Sequence, residues 1–416
     1  MRRILLLLPS VLALAFGGAV WAEPVDSCAV LPFRNGSLKQ ATGASSNVDW
    51  LGVSVSETLR DALDLRGLVT FGRDDLQEAF QRLRLSPHST LTQASVMKIG
   101  EALDAEQIIY GEFVLHPAEA PAAGASHGSL TISARVLDRK RLRESALFSE
   151  SGAIEDLTAI EAHVAWRALS IIAPSLAPPE SDFKSMVPAV RLDAEENYIR
   201  GLMSADPQQR EKLFLQASHL DARFAHPLFE LGQIHYQRKE YRDAAAWFQK
   251  IGPEEVEYHH AGFLLGLALF QAGDFAGAQR AWQSIVAAVP LGEVYNNLAA
   301  AESRRNLPQA ADDFRKALQA DGSDPDYHFN LGYALWRSGE FAAAAESFRA
   351  DLERNPDDSA ATILLGRCLK KQPFRAGDAN DARLQAIERI KTTYEERAYR
   401  QLKSLLDRKS PDGSHP

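Results

Sequence analysis

Only two cysteines, Cys28 and Cys368, occur in 416 residues, too few for a disulfide framework, a four-cysteine zinc site or an iron–sulfur cluster. Basic excess is lacking as well: the formal charge is −9, and −11 without Arg2 and Arg3, which argues against a phosphate-binding surface and against nucleic acid as a partner. Compositional bias is missing too, since 45% apolar and 24% charged residues are globular values. Beyond the amino-terminal stretch, no run approaches the roughly 18 apolar residues that span a bilayer. A glycine-rich phosphate loop, a Gly-x-Ser-x-Gly elbow and a His-Glu-x-x-His helix are all absent. No catalytic, cofactor-binding or metal-ligating residue is therefore assigned, no cofactor is expected, and the chain is expected not to be an enzyme. His259 and His260 are adjacent, and neighbours on a helix diverge by about 100° and do not face one metal. Cys28 and Cys368 read as two separate buried thiols.

What is present begins with Arg2 and Arg3, an apolar stretch to Trp21, and small or aliphatic residues at Val20 and Ala22. That order is a secretory leader, expected over residues 1–22, which sends the mature chain across the inner membrane into the periplasm with no integral span. Asp26, just before Cys28, speaks against lipid attachment.

The length exceeds one hydrophobic core, so at least two domains are expected. Residues 23–173 read as an α/β unit with a mixed sheet. Buried strands are expected at 28–33 and 68–71, and helices from the stripes Leu51, Val55, Leu59 and Ala62, then Leu76, Phe80 and Leu83, then Val96, Ile99 and Leu103 after a Thr92 cap. The alternation of Leu130, Ile132, Ala134 and Val136 with polar residues marks a half-buried strand, paired as a hairpin with Ile108–Leu115. A helix through Leu157, Ile160, Val164 and Ala168 closes the unit. Residues 174–190, with Pro174, Pro178 and Pro179, have the composition of a linker with few contacts across it.

Three segments of this first domain carry a resemblance: Ala29-Val30-Leu31-Pro32-Phe33-Arg34-Asn35, the run Ile99–Phe113, and Ile132–Asp138. They resemble the amino-terminal domain of TolB-type envelope proteins, a fold shared with curli-export and penicillin-binding-protein-activator relatives. The resemblance implies an α/β fold over residues 28–172 and an envelope setting. It also implies an alternative function, that of an envelope regulator or secretion-associated component acting through this domain.

Beyond the linker the sequence repeats. Leu231-Gly232, Leu265-Gly266, Leu298-Ala299, Leu331-Gly332 and Leu365-Gly366 follow at intervals of 34, 33, 33 and 34 residues. Turns at Lys239, Gly273 and Gly339 precede second helices marked by Ala244 and Phe248, Ala278 and Trp282, and Ala344 and Phe348. In the third unit Ala310 and Phe314 arrive one residue early, and Gly201 with Ala217 suggests a degenerate first unit. The pattern resembles the tetratricopeptide repeat, a helix–turn–helix of 34 residues. It implies an all-α solenoid over residues 191–378, with about five repeats, a capping helix at 379–407 carrying Leu384, Ile387, Ile390 and Tyr394 on one stripe, and a disordered tail at 408–416.

In such arrays the first helices line a concave groove. The inward positions would hold Phe229, Gln233 and Tyr236; Phe263, Leu267 and Phe270; Asn296 and Arg304; Phe329, Tyr333, Trp336 and Arg337; and Arg367, Lys370 and Lys371. Aromatic anchors beside arginine are typical of protein-binding surfaces. The expected function is a non-catalytic extracytoplasmic adaptor or scaffold that binds an envelope protein or peptide in this groove. Arg304, Arg337, Arg367, Lys370 and Lys371 would form a basic strip for an acidic or carboxyl-terminal segment of the partner.

Overall fold

In the computed structural model of the chain, residues 27–39, 48–86, 89–116, 128–186, 189–255, 257–375 and 383–395 are described; the leader and the tail at 408–416 lie outside them. The strands are β1 (Ser27–Val30), β2 (Arg34–Asn35), β3 (Val69–Thr70), β4 (Gln107–His116), β5 (Ser129–Asp138), β6 (Arg143–Glu144) and β7 (Phe148–Ala153). They form one mixed sheet in the order β3-β1-β4-β5-β6, with β2 also on β4 and β7 also on β5. Strands β4 and β5 form the expected antiparallel hairpin, paired from Gln107–Asp138 to His116–Ser129. Parallel pairing of β1 with β3 and β4 requires crossovers, supplied by α1 (Trp50–Asp64), α2 (Arg73–Leu83) and α3 (Gln93–Leu103). Thr92 caps α3 as expected, its Oγ1 accepting from the Ser95 amide.

The helix α4 (Leu157–Ile172) lies on the sheet beside α1, and their apolar faces do not end there. Leu51, Val55, Leu59, Val164 and Ala168 share one core with Tyr198, Ile199, Phe214, Phe224 and Leu231 of the helical half. The stretch expected as a linker is built into this junction: Pro174–Leu176 is a 3-10 turn, α5 (Glu180–Met186) follows, and Phe183 is buried. Trp166 Nε1 donates to the Pro178 carbonyl at 2.9 Å, which ties this stretch back to α4. Proline there shapes tight turns rather than a free tether.

Antiparallel helix pairs follow: α6 (Leu192–Met203) with α7 (Pro207–Leu220), α8 (Ala225–Gln237) with α9 (Tyr241–Phe248), α10 (Tyr258–Gln271) with α11 (Phe275–Val286), α12 (Gly292–Arg304) with α13 (Ala310–Ala320), and α14 (Pro325–Ser338) with α15 (Phe341–Arg354). The helix α16 (Ser359–Leu369) stacks on α15. Four of these five pairs close by one device. Gly201, Gly232, Gly266 and Gly332 lie under Phe214, Phe248, Trp282 and Phe348 of the second helix, where a Cβ would come within 2.5, 2.5, 2.4 and 3.0 Å of the ring. The turns use a left-handed residue at equivalent positions, Lys239, Gly273, Asn306 and Gly339, so the third turn keeps the common geometry and loses its residue afterwards.

The carboxyl-terminal capping helix is not found where the chain is described. Residues 383–395 are not helical: a turn at 383–384 and bends at 385–386, with Ala386 at φ 62°, lead into a strap that runs along the first helices of the repeats. A spacing of three, three and four among Leu384, Ile387, Ile390 and Tyr394 fits a helix, yet the backbone finds its partners on α12 and α14 instead. Residues 379–382 and 396–407 lie outside the described residues.

Candidate functional site: an occupied groove

The first helices α10, α12 and α14 share a face, and buried asparagines on α12 and α14 meet the strap there. Asn330 Nδ2 donates to the Arg389 carbonyl at 2.7 Å while its Oδ1 accepts the Arg389 amide at 2.8 Å. Asn297 does the same for Lys391, at 2.7 Å in both directions. Arg389 and Lys391 are two residues apart, hence on one face of an extended chain, and the two asparagines are one repeat apart. Asn296 Nδ2 adds a second donor to the Arg389 carbonyl at 2.8 Å. The Tyr333 hydroxyl donates to the Leu384 carbonyl at 2.9 Å and accepts from the Ala386 amide at 3.2 Å. Side chains thus replace the neighbouring strand that an extended backbone otherwise needs.

Charges sort along the strap. Glu388 accepts from the Ser303 hydroxyl at 2.7 Å and from Arg304, whose guanidinium lies 5.2 Å from the Phe270 ring centre and 5.5 Å from that of Phe275. The Arg389 guanidinium lies 3.6 Å over the Phe329 ring, bonds Asp326 at 3.2 Å and Asp358, and stands 3.7 Å from Asp351. Burial pushes the Asp351 carboxyl up to about 7, reinforced by Asp358 and opposed by Arg389. Lys391 Nζ lies 2.7 Å from both Asp324 and Asp326; burial alone would lower its pKa, and those two bonds raise it. Tyr394 stacks on Phe263 with ring centres 4.4 Å apart.

Of the residues expected in the groove, Phe263, Asn296, Arg304, Phe329 and Tyr333 touch the strap directly. Trp336 donates to the Gln372 carbonyl at 2.8 Å, just before the strap, and Arg337 bonds Asn306 with its guanidinium 5.2 Å from the Phe374 ring. Leu267 and Phe270 are buried between helices, and Phe229 is buried against His260, 5.0 Å away. Gln233 and Tyr236 are half-buried at the amino-terminal end of the groove. The basic residues do not form one strip: Arg304 is committed to Glu388, Arg367 lies by Trp336, and Lys370 with Lys371 stands exposed beyond α16. Local spacing overlooked Asn297, Asn330, Asp324, Asp326, Asp351 and Asp358. The two asparagines each sit one residue before a repeat leucine, on a buried helix face; a polar residue there must find a partner, and that was the available signal.

A second polar cluster lies at the junction of the halves. The Ser54 hydroxyl lies 2.8 Å from Glu161 Oε1 and also contacts Glu195 Oε1; its one proton serves only one of them, and Thr58 donates to Glu161 at 2.9 Å. Burial, with each carboxyl beside the other, keeps Glu161 well above the usual glutamate range, and burial raises Glu195 as well. Nearby His226 bridges Asp61 at 2.9 Å and Glu257 at 3.0 Å; these carboxylates outweigh burial and push it up to about 10. A cavity of about 640 Å³ opens beside them, lined in part by Tyr198, Ile199 and Leu228. Elsewhere His235, Glu240 and Asp243 lie close enough to share a cation, with both acids exposed. Cys28 and Cys368 are both buried and are not joined by a disulfide.

An α/β domain fused through a shared core to a solenoid of helix pairs defines the class. Its repeats are tetratricopeptide repeats: the family model of that description matches residues 263–325, 299–352 and 329–399. The last match runs past α16 into the strap, whose sequence spacing is helical although its backbone is extended. Among solved structures, YrrB, described as a TPR protein with an unusual peptide-binding site, is 18% identical, with 43% of this chain and 92% of that one covered and a TM-score of 0.38. MamA from Desulfovibrio magneticus RS-1 is 21% identical over 40% of this chain and 95% of that one, with a TM-score of 0.35. The LpoB C-terminal domain from Salmonella enterica is 16% identical over 31% of this chain and 84% of that one, with a TM-score of 0.22. No curated protein matches. Among the described residues, no helix is long and apolar enough to cross a membrane.

Proposed function

We propose that this protein is a non-catalytic scaffold that holds an extended segment of a partner protein in the groove of its repeats. Tetratricopeptide proteins typically bind other proteins, and the observation that carries the reading here is the pair Asn297 and Asn330. Each clasps an amide and a carbonyl of one extended residue, a geometry that accepts any backbone of that shape. The leader-like residues 1–22 and the TolB-like pattern of residues 28–172 support a setting outside the cytoplasm, where the partner is an envelope protein. Peptide display against the full chain tests the binding role. Enrichment is expected of peptides that the chain with its own segment loosened by Arg389→Glu and Lys391→Glu retains and that the same variant carrying Asn297→Ala and Asn330→Ala releases; equal retention by both would remove the groove from the reading. Fractionation of cells carrying the full chain tests its location, and a cytoplasmic pool alone would exclude the envelope setting.

A further inference from the structure

The strap is a peptide already bound, and its contacts specify what else the groove would accept. Asp326, Asp351 and Asp358 converge on one guanidinium, and neither oxygen of the fully buried Asp351 has a hydrogen bond. Without a cation at that point three carboxylates would face one another over the Phe329 ring. Asp324 and Asp326 make a second cation seat for Lys391. One residue before the first seat the sign reverses, because Ser303 and Arg304 take a carboxylate. Extended backbone turns successive side chains to opposite sides, so the order acid, arginine, any residue, lysine matches the walls only in one register.

We propose that the groove selects a partner segment with this order, an acidic residue followed at once by arginine and two residues later by lysine, and that residues 383–395 are a built-in competitor which such a partner must displace. This rests on the groove being a binding site. The strap also buries Leu384 and packs Ile387, Ile390 and Tyr394 against the repeat core, so a displacing segment must bring apolar side chains to those places as well, while Arg383, Gln385, Thr392 and Thr393 are exposed. A tethered segment acts at an effective concentration near millimolar, so a free segment of equal quality competes poorly until the strap is weakened.

The probe is a fluorescent peptide with the sequence of residues 383–395, titrated into the full chain and into a full chain carrying Arg389→Glu and Lys391→Glu. The weakened strap is expected to admit the peptide at least about tenfold more tightly than the parent does. A peptide with the charges at 388, 389 and 391 reversed should bind at least about tenfold more weakly than the natural one. If the double variant gains no affinity, the strap is not a competitor. If natural and reversed peptides bind it equally, the charge order is wrong although the groove still binds peptides. If neither binds while helicity is unchanged, the groove itself is not a peptide site. Should the double variant fail to fold, hydrogen exchange in the parent decides: excess peptide must speed exchange of the Arg389 and Lys391 amides, and unchanged protection overturns the proposal.

Discussion

The Asn330 carboxamide holds both backbone groups of Arg389, donating to its carbonyl at 2.7 Å and accepting its amide at 2.8 Å. A helix side chain thereby stands in for a β-strand neighbour. Replacing Asn330 by Ala leaves the Arg389 amide without this partner while the carbonyl keeps Asn296, at a cost of about 1–3 kcal/mol to strap attachment. Hydrogen exchange at Arg389 should accelerate by roughly tenfold or more while helices α6 to α11 keep their protection. Unchanged exchange at Arg389 would show that the clasp contributes nothing.

Gly266 and Gly366 occupy equivalent sequence positions and should respond oppositely to alanine. At Gly266 a Cβ would meet the Trp282 indole at 2.4 Å, and overpacking of about 1–3 kcal/mol outweighs the gain of up to about 1 kcal/mol in helix propensity. At Gly366 nothing lies within 4 Å, so only the gain remains. Denaturant midpoints should fall for Gly266→Ala and rise for Gly366→Ala.

Stability should decline from pH 5 to pH 8. Asp351 is pushed up to about 7 by burial and Asp358, and Glu302 to about 7 by burial and Asp313. A carboxyl whose folded pKa lies above its unfolded one contributes stability that is complete below about pH 4 and is lost as pH rises through the folded value. His226, raised to about 10, acts in the same direction, its contribution complete below about pH 6.5 and lost toward pH 10. Glu302→Gln can keep the bond from Gln279 without titrating, so its urea midpoint should vary less between pH 5 and 8 than the parent's; an equal slope would place the titration elsewhere.

Ending the chain at Ala173 should not yield an independent domain. The cut would strip Phe183, Tyr198, Ile199, Phe214 and Leu231 from the core they share with α1 and α4, and leave Glu161 without Glu195. Broad thermal unfolding and binding of an apolar dye are expected. A sharp transition at the parent's midpoint would show that the two halves stand alone.

Whatever is decided inside one repeat or one hairpin was legible in the sequence. Glycine under an aromatic ring, a left-handed turn residue and an alternating strand are contacts between residues at short, constant separations, so they recur as a period. The strap was not legible, because the spacing from Leu384 to Tyr394 satisfies a helix and a groove alike, and the choice rests on Asn297 and Asn330, 94 and 59 residues away in the chain. The same holds for the joined core: Pro174 to Pro179 has the composition of a linker, and only the burial of Phe183 and the meeting of Ser54, Glu161 and Glu195 make it part of a junction. Local sequence determined the repeats and the β4–β5 hairpin, since short-range sterics and periodic burial suffice for them; the order of the parallel strands, the occupant of the groove and the union of the two halves were decided by tertiary structure, because buried polar and charged groups must find partners wherever the chain brings them.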